Sequence, residues 1–120
     1  MMMDWKAAAR AQFQERRSLD TLVEIPVPEW GISVFYWPDM TLAERREIFL
    51  FAKQEGDKTT LDLEAMAVTI QMRARDKHGA KLFGRVERKD LMNEYDPDVL
   101  VRIVTEMNSG GIPVEDAEKN

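Results

Sequence analysis

Thr21–Arg46 reads TLVEIPVPEWGISVFYWPDMTLAERR, and this stretch decides the fold. Val23, Ile25 and Val27 alternate with polar or small neighbours, the period of a strand with one face buried. Pro28-Glu29-Trp30-Gly31 then supplies a turn, because proline presets φ and glycine takes positive φ without steric penalty. Ile32, Val34 and Tyr36 alternate again, so the spacing predicts a β-hairpin. Thr41-Leu42-Ala43-Glu44 reads as a capping box. The Thr41 hydroxyl and Glu44 carboxylate satisfy the orphan N–H groups that open a helix. Nothing in the stretch has the makings of a catalytic centre.

Outward from there, the helix that starts at Thr41 changes character. Glu44, Arg45, Arg46 and Glu47 are charged, whereas Ile48-Phe49-Leu50-Phe51-Ala52 is apolar throughout. Five consecutive apolar residues sweep ~500° around a helix, so some must meet a second layer or another chain. Gln54–Lys58 is a polar break, with glycine where a helix stops. Leu61–Arg75 is the predicted central helix. Leu63, Met66, Ala67 and Ile70 form one stripe and Leu61, Ala65, Val68 and Met72 its neighbour, so packing from two sides is expected. Asp76–Gly79 ends that helix. Asp96-Pro97 opens another, with aspartate as cap and proline at the first helical position. Leu100, Ile103, Val104 and Met107 form its predicted buried face, and Ser109-Gly110-Gly111 its stop.

These readings predict an α+β fold, predominantly helical, with one N-terminal hairpin packed on three to four helices. Residues 21–108 form the single globular domain, and 109–120 an acidic, flexible tail. Residues 1–20 are an arm or a short amphipathic helix, with Trp5, Ala9 and Phe13 on one face. Such a thin stripe leaves two readings open: a frayed or self-docked terminus, or an arm that orders on a neighbouring subunit or client.

At 120 residues and 13.9 kDa the chain supports one core. Its formal charge of −5 argues against nucleic-acid binding, which needs a positive face to neutralise phosphates. There is no cysteine, hence no disulfide, thiolate nucleophile or Cys-ligated zinc. No apolar run approaches the ~20 residues that span a bilayer. MMMDWKAAARAQFQERR lacks the apolar core of a signal peptide, so the chain reads as soluble and cytoplasmic.

The sequence holds few residues suited to catalysis. His78, the one histidine, sits between Lys77 and Gly79 in a predicted turn and reads as solvated. Asp62/Glu64 and Glu115/Asp116 lack a partner base, and Gly110-Gly111 lacks the lysine and setting of a phosphate loop. No catalytic, cofactor or metal residues are therefore expected, and no enzyme activity. What the sequence offers is adhesive surface. It has eight methionines and three tryptophans, and methionine repacks readily against irregular partners. Candidate protein-interaction residues are Trp5, Phe13, Trp30, Phe35, Trp37, Phe49 and Phe51. If Ile32, Val34 and Tyr36 face the core, Phe35 and Trp37 face away from it. They are then covered by the chain's own helices, the expected outcome, or exposed as an aromatic patch.

The order of elements carries a family resemblance over residues 20–108. The Ile25–Gly31 strand and turn (IPVPEWG), a second strand and the Thr41–Arg45 helix start (TLAER) come first. A central helix follows, then the turn Asp76-Lys77-His78-Gly79-Ala80-Lys81-Leu82-Phe83, a short helix and a last helix ending at Met107-Asn108. Together these resemble the tail assembly chaperones of long, non-contractile-tailed bacteriophages. One departure is the basic Gly84-Arg85-Val86-Glu87-Arg88-Lys89 segment, where many relatives start an acidic helix; it marks that surface for a different contact. The resemblance implies a non-enzymatic chaperone in the host cytoplasm. Several copies bind and solubilise the tape measure protein, then leave before the virion is mature. It also implies self-association, and contact with the major tail tube protein through a longer, frameshifted form. If Glu118-Lys119-Asn120 were encoded GAA, AAA and AAC, the codons would supply a slippery A-AAA-AAC run. Two rivals remain. One is a helix-turn-helix DNA-binding regulator drawn over Leu61–Asn93, with Arg85, Arg88 and Lys89 toward phosphates. The other is a structural tail-completion subunit.

Overall fold

A computed structural model describes residues 4–55, 58–61 and 63–110, with 52–55 and 58–61 described by backbone alone. Helix α1 (Trp5–Arg16) leads into strands β1 (Val23–Val27) and β2 (Ile32–Tyr36), then α2 (Leu42–Phe49). Strands β3 (Ala52–Glu55) and β4 (Lys58–Leu61) follow, then α3 (Leu63–Arg73), α4 (Arg88–Asn93) and α5 (Pro97–Gly110). The architecture is α+β, mainly helical, with the hairpin near the N-terminus, as the spacing predicts. Among the described residues no helix is long and apolar enough to cross a membrane.

The hairpin forms where the alternation places it. β1 and β2 pair antiparallel, with Ile25 opposite Val34 and Val27 opposite Ile32, and Gly31 closes the turn at φ 72°. Ile25, Val27, Val34 and Tyr36 are buried in one core with α3, α4 and α5, whereas Val23 and Ile32, the first residues of their strands, are exposed. Pro26 is tolerated because a two-stranded ribbon has an outer edge that needs no N–H. The Tyr36 hydroxyl donates to the Glu106 carbonyl at 3.2 Å and pins the hairpin to α5. Burial pushes this phenol's pKa up, so it stays a donor.

The other edge of β2 is also occupied. Phe35 and Arg75 exchange backbone hydrogen bonds of 2.8 and 2.7 Å, and Arg75 in turn bridges Lys81. The Asp76 carboxylate holds this connection in shape, accepting the N–H groups of His78 at 2.8 Å and Ala80 at 3.0 Å. Those bonds, Ala80's first, keep its carboxyl below the ordinary range. Gly79, at φ 86°, is required here twice over: a Cβ would also lie 3.1 Å from the Trp37 ring.

Helix α2 begins with the capping box. The Thr41 hydroxyl accepts the Glu44 N–H at 3.1 Å, and Glu44 accepts the Thr41 N–H at 2.9 Å. Its far end corrects the sequence reading, because α2 stops at Phe49 instead of running on through Ala52. The Phe51 N–H turns back to the Ile48 carbonyl at 3.0 Å, and the polar segment beyond pairs with itself. Ala52 lies opposite Leu61 and Glu55 opposite Lys58 in a second hairpin. Leu61 thus belongs to β4, and the central helix starts at Leu63.

Around α3 pack α2, α4 and α5, and Ala65 and Ala67–Gln71 are buried. The two-sided packing is as expected, except that Leu63, placed in the buried stripe, is 69% exposed. Gln71 is the polar residue this packing seals in. Its amide N–H donates to the Phe83 carbonyl at 3.3 Å and its oxygen accepts from Arg88 Nε at 2.9 Å. Arg88 continues to Glu47 at 3.1 Å, so one chain of bonds ties the 74–84 connection, α3, α4 and α2 together. Asp96 caps α5 through the Asp98 N–H at 2.9 Å, and the predicted face (Leu100, Ile103, Val104, Met107) is buried. The helix includes Ser109 and Gly110. The remaining tail, with Glu118-Lys119-Asn120, lies outside the described residues.

The hairpin turn is clamped to α5 by a two-pronged ion pair, Arg102 to Glu29 at 2.7 and 2.8 Å. The Arg102 guanidinium lowers the Glu29 pKa from 4.5 to about 2. A depressed carboxylate stabilises the fold above its unfolded pKa and loses that contribution as pH falls through the folded value. The melting temperature of Glu29→Gln should therefore lie below the parent's at pH 7. That gap should close between pH 4.5 and about 2, in thermal melts read by circular dichroism. A gap that stays constant over this range contradicts the assignment.

Candidate functional site

A prominent feature among the described residues is an apolar depression between α3, α4 and α5. One half, about 450 Å³, is lined by Phe51, Ala67, Val68 and Met92, with Glu64, Arg88, Lys89 and Asn93 at its edge. The other half, about 130 Å³, is lined by Leu63, Met66, Ala67, Leu91, Met92, Tyr95, Pro97, Leu100 and Val101. Ala67 and Met92 line both halves, so the two adjoin. Local rules explain the lining. Leu63, Met66 and Ala67 recur at helical spacing on α3, and Pro97 and Val101 lie four apart on α5. Ala67 is small, so the surface there is low. Leu63, Met92 and Val101 are 69%, 45% and 42% exposed, an arrangement that leaves apolar surface in water with no partner among the described residues. Arg88 and Lys89 flank the larger half, and exposed Glu94, Asp96 and Asp98 flank Tyr95 and Pro97 in the smaller one.

Of the aromatic candidates, only Phe51 lines this depression. Phe49, with its neighbour Leu50, is exposed on the last turn of α2 (58% and 63%). Trp5 is 71% exposed on α1, a helix with no buried residue whose ion pairs to the rest of the fold, among the described residues, lie at its C-terminal end. There Arg16 pairs with Asp39 at 2.8 Å and Arg17 with Glu44 at 3.0 Å, and the Arg17 guanidinium lies over half-buried Phe13. Trp30 packs half-buried against the core, edge-on to Phe83 and Tyr95, with ring centroids 6.4 and 5.5 Å away.

Phe35 and Trp37 are half-buried rather than exposed, and the groups that meet Trp37 belong to connections, not to the helices expected to cover it. The Arg75 strand segment pairs with Phe35. Trp37 donates its indole N–H to the Ser18 carbonyl at 2.8 Å, and Arg17 and Arg75 lie over its ring at 4.8 and 5.0 Å. Sequence reasoning missed Leu63, Met66, Met92 and Val101, which no aromatic search would find. The one signal for them was the methionine content. His78 is exposed, and its backbone N–H bonds Asp76.

No family model matches the chain, and comparison with curated proteins and with solved structures gives no match.

Proposed function

We propose that the protein is a non-enzymatic chaperone of phage tail assembly. It binds and solubilises the tape measure protein in the host cytoplasm and is absent from the mature virion. The observation that carries this reading is the open apolar depression between α3, α4 and α5 with methionine at its centre, joined by Trp5, Phe49 and Leu50 on the surface. A long helical client with an apolar stripe and no partner yet needs a mask that binds reversibly. A groove of leucine, valine and methionine side chains takes such a stripe without demanding one sequence. Many copies along one client raise the overall hold by avidity, and neighbouring copies then touch, which accounts for self-association. Transfer to the tail tube protein belongs to a longer, frameshifted form.

Co-expression tests the reading. The tape measure protein should move from the pellet to the soluble fraction when this protein is present, and equal pelleting with and without it contradicts the proposal. Purified virions separate the chaperone from a tail-completion subunit, since the chaperone should be missing from their protein content.

A further inference from the structure

Beyond the groove, and sharing none of its lining residues, lies a cluster of three arginines around Trp37. Arg17 and Arg75 lie over the ring, and Arg73 donates from Nη2 to the Trp37 carbonyl at 2.8 Å while its guanidinium lies over Tyr36. The carboxylates within reach are already engaged. Glu44 meets Arg17 at 3.0 Å and Arg75 at 3.8 Å, and Asp39 is held by Arg16 at 2.8 Å. Two of the three guanidinium groups thus share one carboxylate, and Arg73 pairs with none among the described residues; the side chains of Arg17 and Arg75 are only 15% and 13% exposed. Arg73 as a residue is 5% exposed. The buried Arg73 Nε–H has no hydrogen-bond partner among the described residues. An excess of buried positive charge with an orphaned donor is costly unless something negative completes it. Burial accordingly lowers the pKa of both Arg73 and Arg75.

We propose that this cluster is a carboxylate-binding subsite, which receives an aspartate or glutamate side chain, or a chain terminus, of a partner protein. The depression between Trp37, Met40, Glu44 and the three arginines has room for about one water (≈ 10 Å³), enough to admit one carboxylate oxygen but too tight for a phosphate group. Guanidinium donors match a carboxylate in charge and in planar geometry, and the methionine and tryptophan walls keep the contact dry. The subsite is independent of the groove and of the chaperone reading.

The test is a titration of the isotope-labelled full chain with sodium acetate at pH 7 and constant ionic strength, following the Arg73 Nε–H and Trp37 indole N–H resonances. Both signals should shift saturably with acetate and not with chloride. Arg17→Gln should weaken acetate at least about tenfold. No saturable shift, an equal response to chloride, or tighter binding of inorganic phosphate than of acetate each overturns the proposal. The parent titration decides the matter even if the variant does not fold.

Discussion

Met92→Asp should weaken binding of the tape measure protein at least about 100-fold while leaving the fold intact. Met92 lines both halves of the depression and is 45% exposed in the free protein. In the free state an aspartate there stays in water and costs about 1 kcal/mol at most, partly from placing an acid near the end of α4. Under a docked apolar helix the same carboxylate loses hydration that the nearby cations replace only in part, since Arg88 is already engaged by Gln71 and Glu47 and Lys89 is a single exposed amine, a net penalty of about 3 kcal/mol or more. Since about 1.4 kcal/mol is a factor of ten, two decades of affinity is a conservative expectation. Val86→Asp is the matched control, because Val86 is 86% exposed and lines neither half of the depression. Calorimetric titration with a soluble tape measure segment checks both variants. Equal loss in the two variants, or none at Met92→Asp, removes the groove from the account.

Gln71→Leu should destabilise the fold by about 3 kcal/mol, although it adds apolar surface to a buried position. Counting buried area alone predicts the opposite sign. Gln71 is 3% exposed and uses both ends of its amide, toward the Phe83 carbonyl and Arg88 Nε. Leucine of similar size leaves a buried carbonyl unpaired and frees one of the bonds that hold Arg88 over α3. Stranded buried groups cost about 1–3 kcal/mol each, more where charge is involved. In a domain of this size the melting temperature should fall by about 10–20 °C. An unchanged or raised midpoint would mean that the Phe83–Gln71–Arg88–Glu47 chain is not what joins α2, α3 and α4.

The elements legible in the sequence were those set by local rules. The β1–β2 hairpin follows from alternation and a Pro–Gly turn, α2 starts where Thr41 and Glu44 cap each other, and α5 starts at Asp96-Pro97. The second hairpin is hidden in the sequence, because Ile48–Ala52 carries no break and favours helix and strand alike. The signal was the Gly56-Asp57 pair between Lys53–Glu55 and the two threonines, a two-residue hairpin signature outweighed by the apolar run before it. The groove was illegible for a different reason. Leu63, Met92 and Val101 come from three helices, and of these the sequence places only Leu63 in a stripe, a buried one. They stand side by side only once α3 packs against α4 and α5. Trp30 shows the converse: beside a turn it looked adhesive, yet Phe83 and Tyr95, distant in sequence, close over it.

The central claim is that apolar surface on α3, α4 and the start of α5 is lent to a helical client and returned. Hydrogen exchange of the protein, free and in complex with the tape measure protein, tests it most directly. The account predicts slowed exchange concentrated in Leu63–Val68, Arg88–Asn93 and the segment from Asp98 to Arg102. Unchanged exchange there, with new protection confined to the β1–β2 hairpin or to α1, would contradict it.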